Sequence, residues 1–353
     1  MSRSFIAAGL CVAGSVAIMI ASVGSTDPVF ESGPLVEGLS DRVNDVTSVR
    51  LALADRTATI RRLDDGSWGV EELSDYPANY ERIKQLIVGL GESEVFEAKT
   101  RRQERHIELG LAGVENGSPT MSIEMRDSAG GEVASVLIGD LGPSQNVGRR
   151  FVRQSDADDC YLAYTPRLPE MDPKSWADRA LSRMPVNEVR QMDRVLPDGM
   201  SFRFVRDSAD SVFGLTGLAP DLSAVLSPDN SGTRSLAGAM TSVVWDEVEL
   251  LGDEQPTPIE EIVFTLFEGR RIIWTRIEGE RRVVIRAEYL PIGEADQAVV
   301  DEVTTFNERH GPWVYTLADA TMTLLFPPAE RLVSGLEPEV GAEAPLGPVA
   351  PEP

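Results

Sequence analysis

The chain has 353 residues, enough for roughly two ordinary domains or one large core. Hydrophobic residues make up 42% and charged residues 25%, a globular composition that excludes wholesale disorder, collagen-like repeats and a multi-span membrane protein. The 57 Asp and Glu against 33 Lys and Arg give a net charge of -24, which repels nucleic-acid phosphates and argues against a DNA or RNA partner.

Met1-Ser2-Arg3-Ser4 precedes an uncharged apolar run from Phe5 to Gly24. At about 1.5 Å per residue, a run of this length crosses a hydrocarbon core of roughly 30 Å. Arg3 lies before the run, whereas Asp27 and Glu31 follow it, so the positive-inside rule predicts a cytoplasmic amino terminus and a periplasmic body at a bacterial inner membrane. A retained single-pass anchor and a cleaved signal peptide, with Ser22-Val23-Gly24 or Val23-Gly24-Ser25 at the cleavage site, both fit. Cys11 falls inside the run, which leaves Cys160 alone in the exported part and allows no intramolecular disulfide.

Residues 25–45 lack hydrophobic periodicity and read as a spacer. Two α+β modules are expected next, at 46–184 and 185–326, and residues 327–353, rich in Pro, Ala and Glu, read as a disordered acidic tail. Within the modules a degenerate unit of short strands, a turn and an amphipathic helix recurs. Its first copy has strands at Val49–Leu53, Thr57–Leu63 and Trp68–Val70. The helix that follows, at about 79–90, carries the stripe Ile83, Leu86, Ile87 and Leu90.

A hairpin is read at Thr120–Met125 and Glu132–Ile138, then strands at Arg150–Arg153 and Cys160–Ala163, and a short closing helix at Pro173–Met184. The second copy has strands at Val189–Met192 and Ser201–Val205, an extended Phe213-Gly214-Leu215, and a helix at about 234–245 carrying Leu236, Met240, Val243 and Val244. A third copy opens on the strands Glu261–Leu266, Arg271–Ile277 and Arg281–Ala287. It continues through a helix at about 295–308 bearing Val299, Val303 and Phe306 to a closing strand at Trp313–Leu317. The expected fold class is therefore α+β: modules of antiparallel hairpins and meanders, each covered by an amphipathic helix, after an N-terminal transmembrane helix.

No enzymatic signature emerges. His106-Ile107-Glu108 has the H-x-E of zinc deaminases without the following P-C-x-x-C, and His310, in Glu308-Arg309-His310-Gly311, reads as a solvated loop or helix-end residue. The phosphate-loop, dinucleotide and nucleophile-elbow motifs are missing, and none of Lys84, Lys99 and Lys174 has a Ser three positions earlier. Asp156-Ala157-Asp158-Asp159 lacks the Gly and Glu of a calcium loop and reads as a solvated turn. The five tryptophans fall mostly on apolar patterns and read as core. No catalytic residue, cofactor or metal ligand is assigned.

Seven landmarks in order resemble the family called domain of unknown function 4340: Gly66-Ser67-Trp68, Tyr76-Pro77-Ala78-Asn79, Lys99-Thr100, Leu109-Gly110-Leu111, Ile138-Gly139, Phe151-Val152-Arg153 and Trp313-Val314-Tyr315. Asn79 stands where the family favours Asp and Phe151 where it favours Tyr, and both substitutes keep the structural role. The resemblance makes Trp68, Tyr76, Pro77, Thr100, Leu109, Gly110, Leu111, Gly139 and Trp313 structural landmarks. It also implies auxiliary proteins associated with Gld-type ABC exporters. The functional expectation is a non-enzymatic, membrane-anchored periplasmic accessory protein that binds protein, with ABC permease or ATPase subunits as partners. The competing expectation is an anchored or secreted hydrolase of envelope polymer that uses acidic residues.

Overall fold

The computed structural model describes residues 32–114, 120–143, 148–167, 171–217, 225–252, 256–291 and 296–335. The apolar run 5–24 and the tail beyond residue 335 lie outside the described residues; among those described, no helix is long and apolar enough to cross a membrane. The chain divides into two compact units, one of residues 1–72 and 78–176, the other of 73–77 and 177–353. The division falls after Trp176 rather than after residue 184, and a short segment around Tyr76 belongs to the second unit.

The first unit contributes nine strands to an antiparallel sheet: β1 (Gly33–Pro34), β2 (Ser48–Leu53), β3 (Arg56–Arg62), β4 (Trp68–Val70), β5 (Glu94–Thr100), β6 (Met121–Arg126), β7 (Glu132–Leu141), β8 (Arg149–Gln154) and β9 (Cys160–Tyr164). Their order across the sheet is β1-β5-β9-β8-β7-β6-β2-β3-β4. The spacer expectation for 25–45 fails from residue 33 onward, because β1 pairs with β5 and helix α1 (Leu39–Arg42) buries Leu39 beside the buried Leu35. Helix α2 (Tyr80–Gly91) starts where Asn79 accepts a hydrogen bond from the Arg82 amide at 3.2 Å, and all four residues of its predicted stripe are buried.

The second unit repeats the plan. Its strands are β10 (Ala180–Ser182), β11 (Val189–Val195), β12 (Ser201–Val205), β13 (Gly214–Thr216), β14 (Val243–Leu250), β15 (Pro258–Leu266), β16 (Arg270–Ile277), β17 (Arg282–Tyr289) and β18 (Trp313–Leu317). Their order is β10-β14-β18-β17-β16-β15-β11-β12-β13, the first unit's order with every label raised by nine. Helix α3 (Asn230–Ala239) occupies the place of α2, and α4 (Gln297–His310) is an addition between β17 and β18. The modular reading is thus corrected from three copies to two, because the strands and helix read as a third copy complete the second sheet.

This sheet must curl. Six inter-strand steps separate β10 from β11, about 29 Å in a flat sheet. The chain from Ser182 to Val189 reaches at most about 25 Å fully extended, and a 3-10 turn at Val186–Glu188 shortens it further. Curling encloses one face, and the central strands β15 and β16 bury Ile262, Val263, Phe264, Ile272, Ile273 and Trp274 in unbroken runs.

Two expected helices change. The one read at 234–245 spans 230–239, because Asp229 caps it through the Gly232 amide at 2.7 Å and the β-branched Val243 and Val244 begin β14 instead. Val244 is exposed, so it covers no sheet face. Pro173–Met184 is no helix: a 3-10 turn holds Pro173–Ser175, and Ala180–Ser182 extends to pair with β14. The expected disordered tail also begins too early. Helix α5 (Asp319–Leu325) leads into a 3-10 turn at Ala329–Arg331 and a two-residue strand, Val333–Ser334, paired with Ser227–Pro228.

A buried ion pair secures that end of the chain. Arg194, 2% exposed, donates to Glu260 and to the Pro327 carbonyl at 3.0 Å, and its guanidinium lies 5.4 Å from the Phe326 ring centroid. Burial holds Arg194 below its usual pKa, Glu260 opposes this, and Arg276, 3.5 Å from Glu260, adds to it. Removing one member of such a pair leaves an uncompensated charge, so Glu260→Ala is expected to destabilise the second unit by about 3–5 kcal/mol, read by urea unfolding. Leu86→Ala, in the buried stripe of α2, is expected to cost the first unit about 2–5 kcal/mol in the same assay.

Candidate functional site: a cleft in the second unit

The sequence landmarks gather into two buried knots, one in each unit. In the first, the 3-10 helix Gln103–Leu109 ends on Gly110, whose φ of 67° favours glycine, and Leu111 is fully buried with Leu137 and Cys160. Leu109 and Phe151 pack against that cluster, and Thr100 pairs with Cys160 across β5 and β9. Gly139 crosses this turn so closely that a Cβ there would stand 2.2 Å from the Leu109 carbonyl oxygen. The Thr120 hydroxyl donates to the Gly110 carbonyl at 2.6 Å. Trp68 stands apart on β4, half-buried.

The second knot forms where Tyr76, fully buried, meets Trp313 at 4.9 Å and Trp245 at 5.1 Å, both edge to face. The Tyr315 ring lies 6.3 Å from Tyr76, and its hydroxyl shares a 2.9 Å hydrogen bond with His310 Nδ1. The neighbouring Pro77 carbonyl accepts from the Asp178 amide at 2.9 Å. His310 is therefore not the solvated residue expected from its surroundings in the sequence. It is the last residue of α4 and 3% exposed, with the Phe306 ring 4.5 Å away. Burial, reinforced by the Arg309 charge and opposed by Asp178, pushes its pKa down to about 3. Burial likewise raises the pKa values of Tyr76 and Tyr315. At neutral pH the knot thus holds a neutral imidazole and two un-ionised phenols.

His310 and Phe306 also face a cleft of about 950 Å³ between α4 and the segment that runs from β10 to β11. Asp178 and Arg309 pair at its edge at 2.7 Å. Arg270 reaches Glu302 at 2.6 Å, and Asp301, Arg183 and Glu188 stand exposed around it. One border is β10, an edge strand bonded on one side to β14. This arrangement offers main-chain hydrogen-bonding groups beside a helix face carrying charges of both signs, which suits an extended peptide rather than a reacting small molecule. Neither His310 nor Arg183 is marked by a motif; of the expected stripe Val299, Val303 and Phe306 along α4, Phe306 lines the cleft.

The other candidate residues are structural. His106 is buried, its Nε2 3.1 Å from the Asp158 carbonyl oxygen, while Asp158 accepts from Gln103 at 2.8 Å and Asp159 from Arg101. The acidic turn is exposed at Asp156 and Asp158, as its sequence suggests, and it also braces the first unit's 3-10 helix. Among the described residues no three His, Cys, Asp or Glu side chains converge as a metal site. Cys160 is buried, and burial raises its thiol pKa to about 11, which keeps it an inert thiol. Trp176, Trp245, Trp274 and Trp313 are core residues, as the sequence pattern indicates.

A family model described as Domain of unknown function (DUF4340) matches residues 68–244, from β4 of the first sheet to the start of β14 in the second. The chain belongs to this family. No curated protein matches it.

Two outcomes test this geometry. Gly139→Ala is expected to destabilise the first unit by at least about 1–3 kcal/mol through overpacking. Gly33→Ala, with open space around the added Cβ, should stay within about 0.5 kcal/mol of the parent. For His310, an unfolded chain binds a proton below pH about 6.5 while the folded one resists until about 3. Its stabilising contribution is therefore complete above pH about 6.5 and is lost as pH falls toward 3, at about 1.4 kcal/mol per pH unit. Urea titrations at a series of pH values should show that slope reduced in His310→Gln.

Proposed function

We propose that this chain is a non-enzymatic, membrane-anchored periplasmic accessory protein that binds a protein partner within an ABC-type export assembly of the Gld kind. The single observation that carries the binding role is the second unit's cleft, where an edge strand and a helix face enclose about 950 Å³. The family membership and the apolar run Phe5–Gly24, read as a single span with the body outside, support the setting. Around the cleft Glu188 and Asp301 are exposed acids, and the whole chain carries -24. The fitting occupant is an extended basic segment of the partner, added alongside β10. An anchored body meets such a partner at raised effective concentration, so a weak, salt-sensitive interface suffices. ATP hydrolysis belongs to the partner assembly.

Affinity purification of the full chain in mild detergent tests this. The expected result is recovery of ABC permease or ATPase subunits, reduced by the surface reversals Glu188→Lys and Asp301→Lys and by added salt. A clean monomer that cleaves an envelope glycan or peptide, or recovery that both reversals leave unchanged, would overturn the proposal.

A further inference from the structure

A second cavity, of about 670 Å³, lies elsewhere in the second unit, between the loop joining β12 to β13 and the start of α3. Its charge is unusual for so acidic a chain. Arg206 is 6% exposed, yet it spends its donors on main-chain carbonyls alone: Nε to Val189 at 2.7 Å, one terminal nitrogen to Ala209 at 2.6 Å and the other to Val186. Of the five donors a guanidinium carries, about two remain unspent. Arg234, exposed on the first turns of α3, lines the same cavity and makes no ion pair among the described residues. Burial lowers the Arg206 pKa, the nearby Arg234 charge lowers it further, and Asp210 opposes both. Among the described residues, two cations therefore face one cavity lined by a single carboxylate, Asp210, which forms an ion pair with neither of them.

The lining also has an apolar part. Phe213 is buried under the Arg206 guanidinium, 4.7 Å from ring centroid to the guanidinium carbon, and Val212 is 63% exposed beside it. Val186 also lines the cavity. Among the described lining residues two guanidinium groups outnumber one carboxylate, so the cavity favours an anion, and a monoanion balances the charge.

We infer that this cavity binds a monoanionic carboxylate with an apolar body, its head group between Arg206 and Arg234 and its body against Phe213 and Val212. The volume suits a small organic molecule. The planar head matches the fork of a guanidinium, and an apolar chain removes Val212 from water. This site is separate from the cleft along β10, and its occupation does not depend on the protein-binding reading.

Isothermal titration of the full chain in mild detergent, with hexanoate, acetate and inorganic phosphate as probes, tests the inference. Hexanoate is expected to bind, with acetate at least about ten-fold weaker for want of the apolar body. Arg234→Gln, on the surface and without a structural partner, should weaken hexanoate about five-fold or more. Val212→Asp should weaken it too while leaving the unfolding transition in place. Three results would overturn the assignment: no binding at millimolar hexanoate, phosphate binding as tightly as hexanoate, or Arg234→Gln binding like the parent.

Discussion

The constraint on which the second unit depends is the shortness of the chain between β10 and β11. Strands at one edge and deep within one sheet are joined by a segment too short to span a flat one, so the sheet closes toward itself and one of its faces becomes an interior. Everything described there follows from that enclosure. The central strands can be apolar on both faces, Arg194 and Glu260 can pair out of water, and Tyr76 can sit among Trp245, Trp313 and Tyr315. In the first unit the same strand order is locked by a backbone crossing, Gly139 against the Leu109 carbonyl.

The two sheets share an order but not their elaborations. The first inserts a 3-10 helix between β5 and β6 and joins β8 to β9 by a short turn; the second joins β14 to β15 by a short connection and places α4 between β17 and β18. The scaffold thus stays constant while its connections vary, the usual division between packing and function in a fold. It is α4 that walls the cleft along β10, and the β12–β13 loop that brings Arg206 to its cavity.

Much of the local structure is legible in the sequence. The stripe on α2, the Asn79 cap, the β6–β7 hairpin and the meander of β15 to β17 are written in periodicity and turn residues. Topology is not, because register between distant strands leaves no local trace. That is why β15 to β18 read as a third copy, although they complete the second. Val243 and Val244 show the same limit: at helical spacing from Leu236 and Met240, they obey the sheet once β10 supplies a partner strand. The landmarks Tyr76 and Trp313, or Gly110 and Gly139, are visible singly, while their meetings are tertiary facts. His310 leaves the least local trace, since Glu308, Arg309 and Gly311 around it suggest water, whereas the Phe306 ring and the Tyr315 hydroxyl enclose it in the fold.

The central claim is that two sheets of one strand order make up the body of this chain. Hydrogen exchange of the full chain, resolved to single amides, tests it most directly. The account predicts the slowest exchange in two matching sets: 49–52, 123–126 and 134–138 in the first unit, and 189–194, 262–266 and 272–276 in the second. The edge residues Gly214–Thr216 should exchange early. A third, independently protected block confined to 297–317, with 262–276 exchanging as fast as the edges, would contradict it.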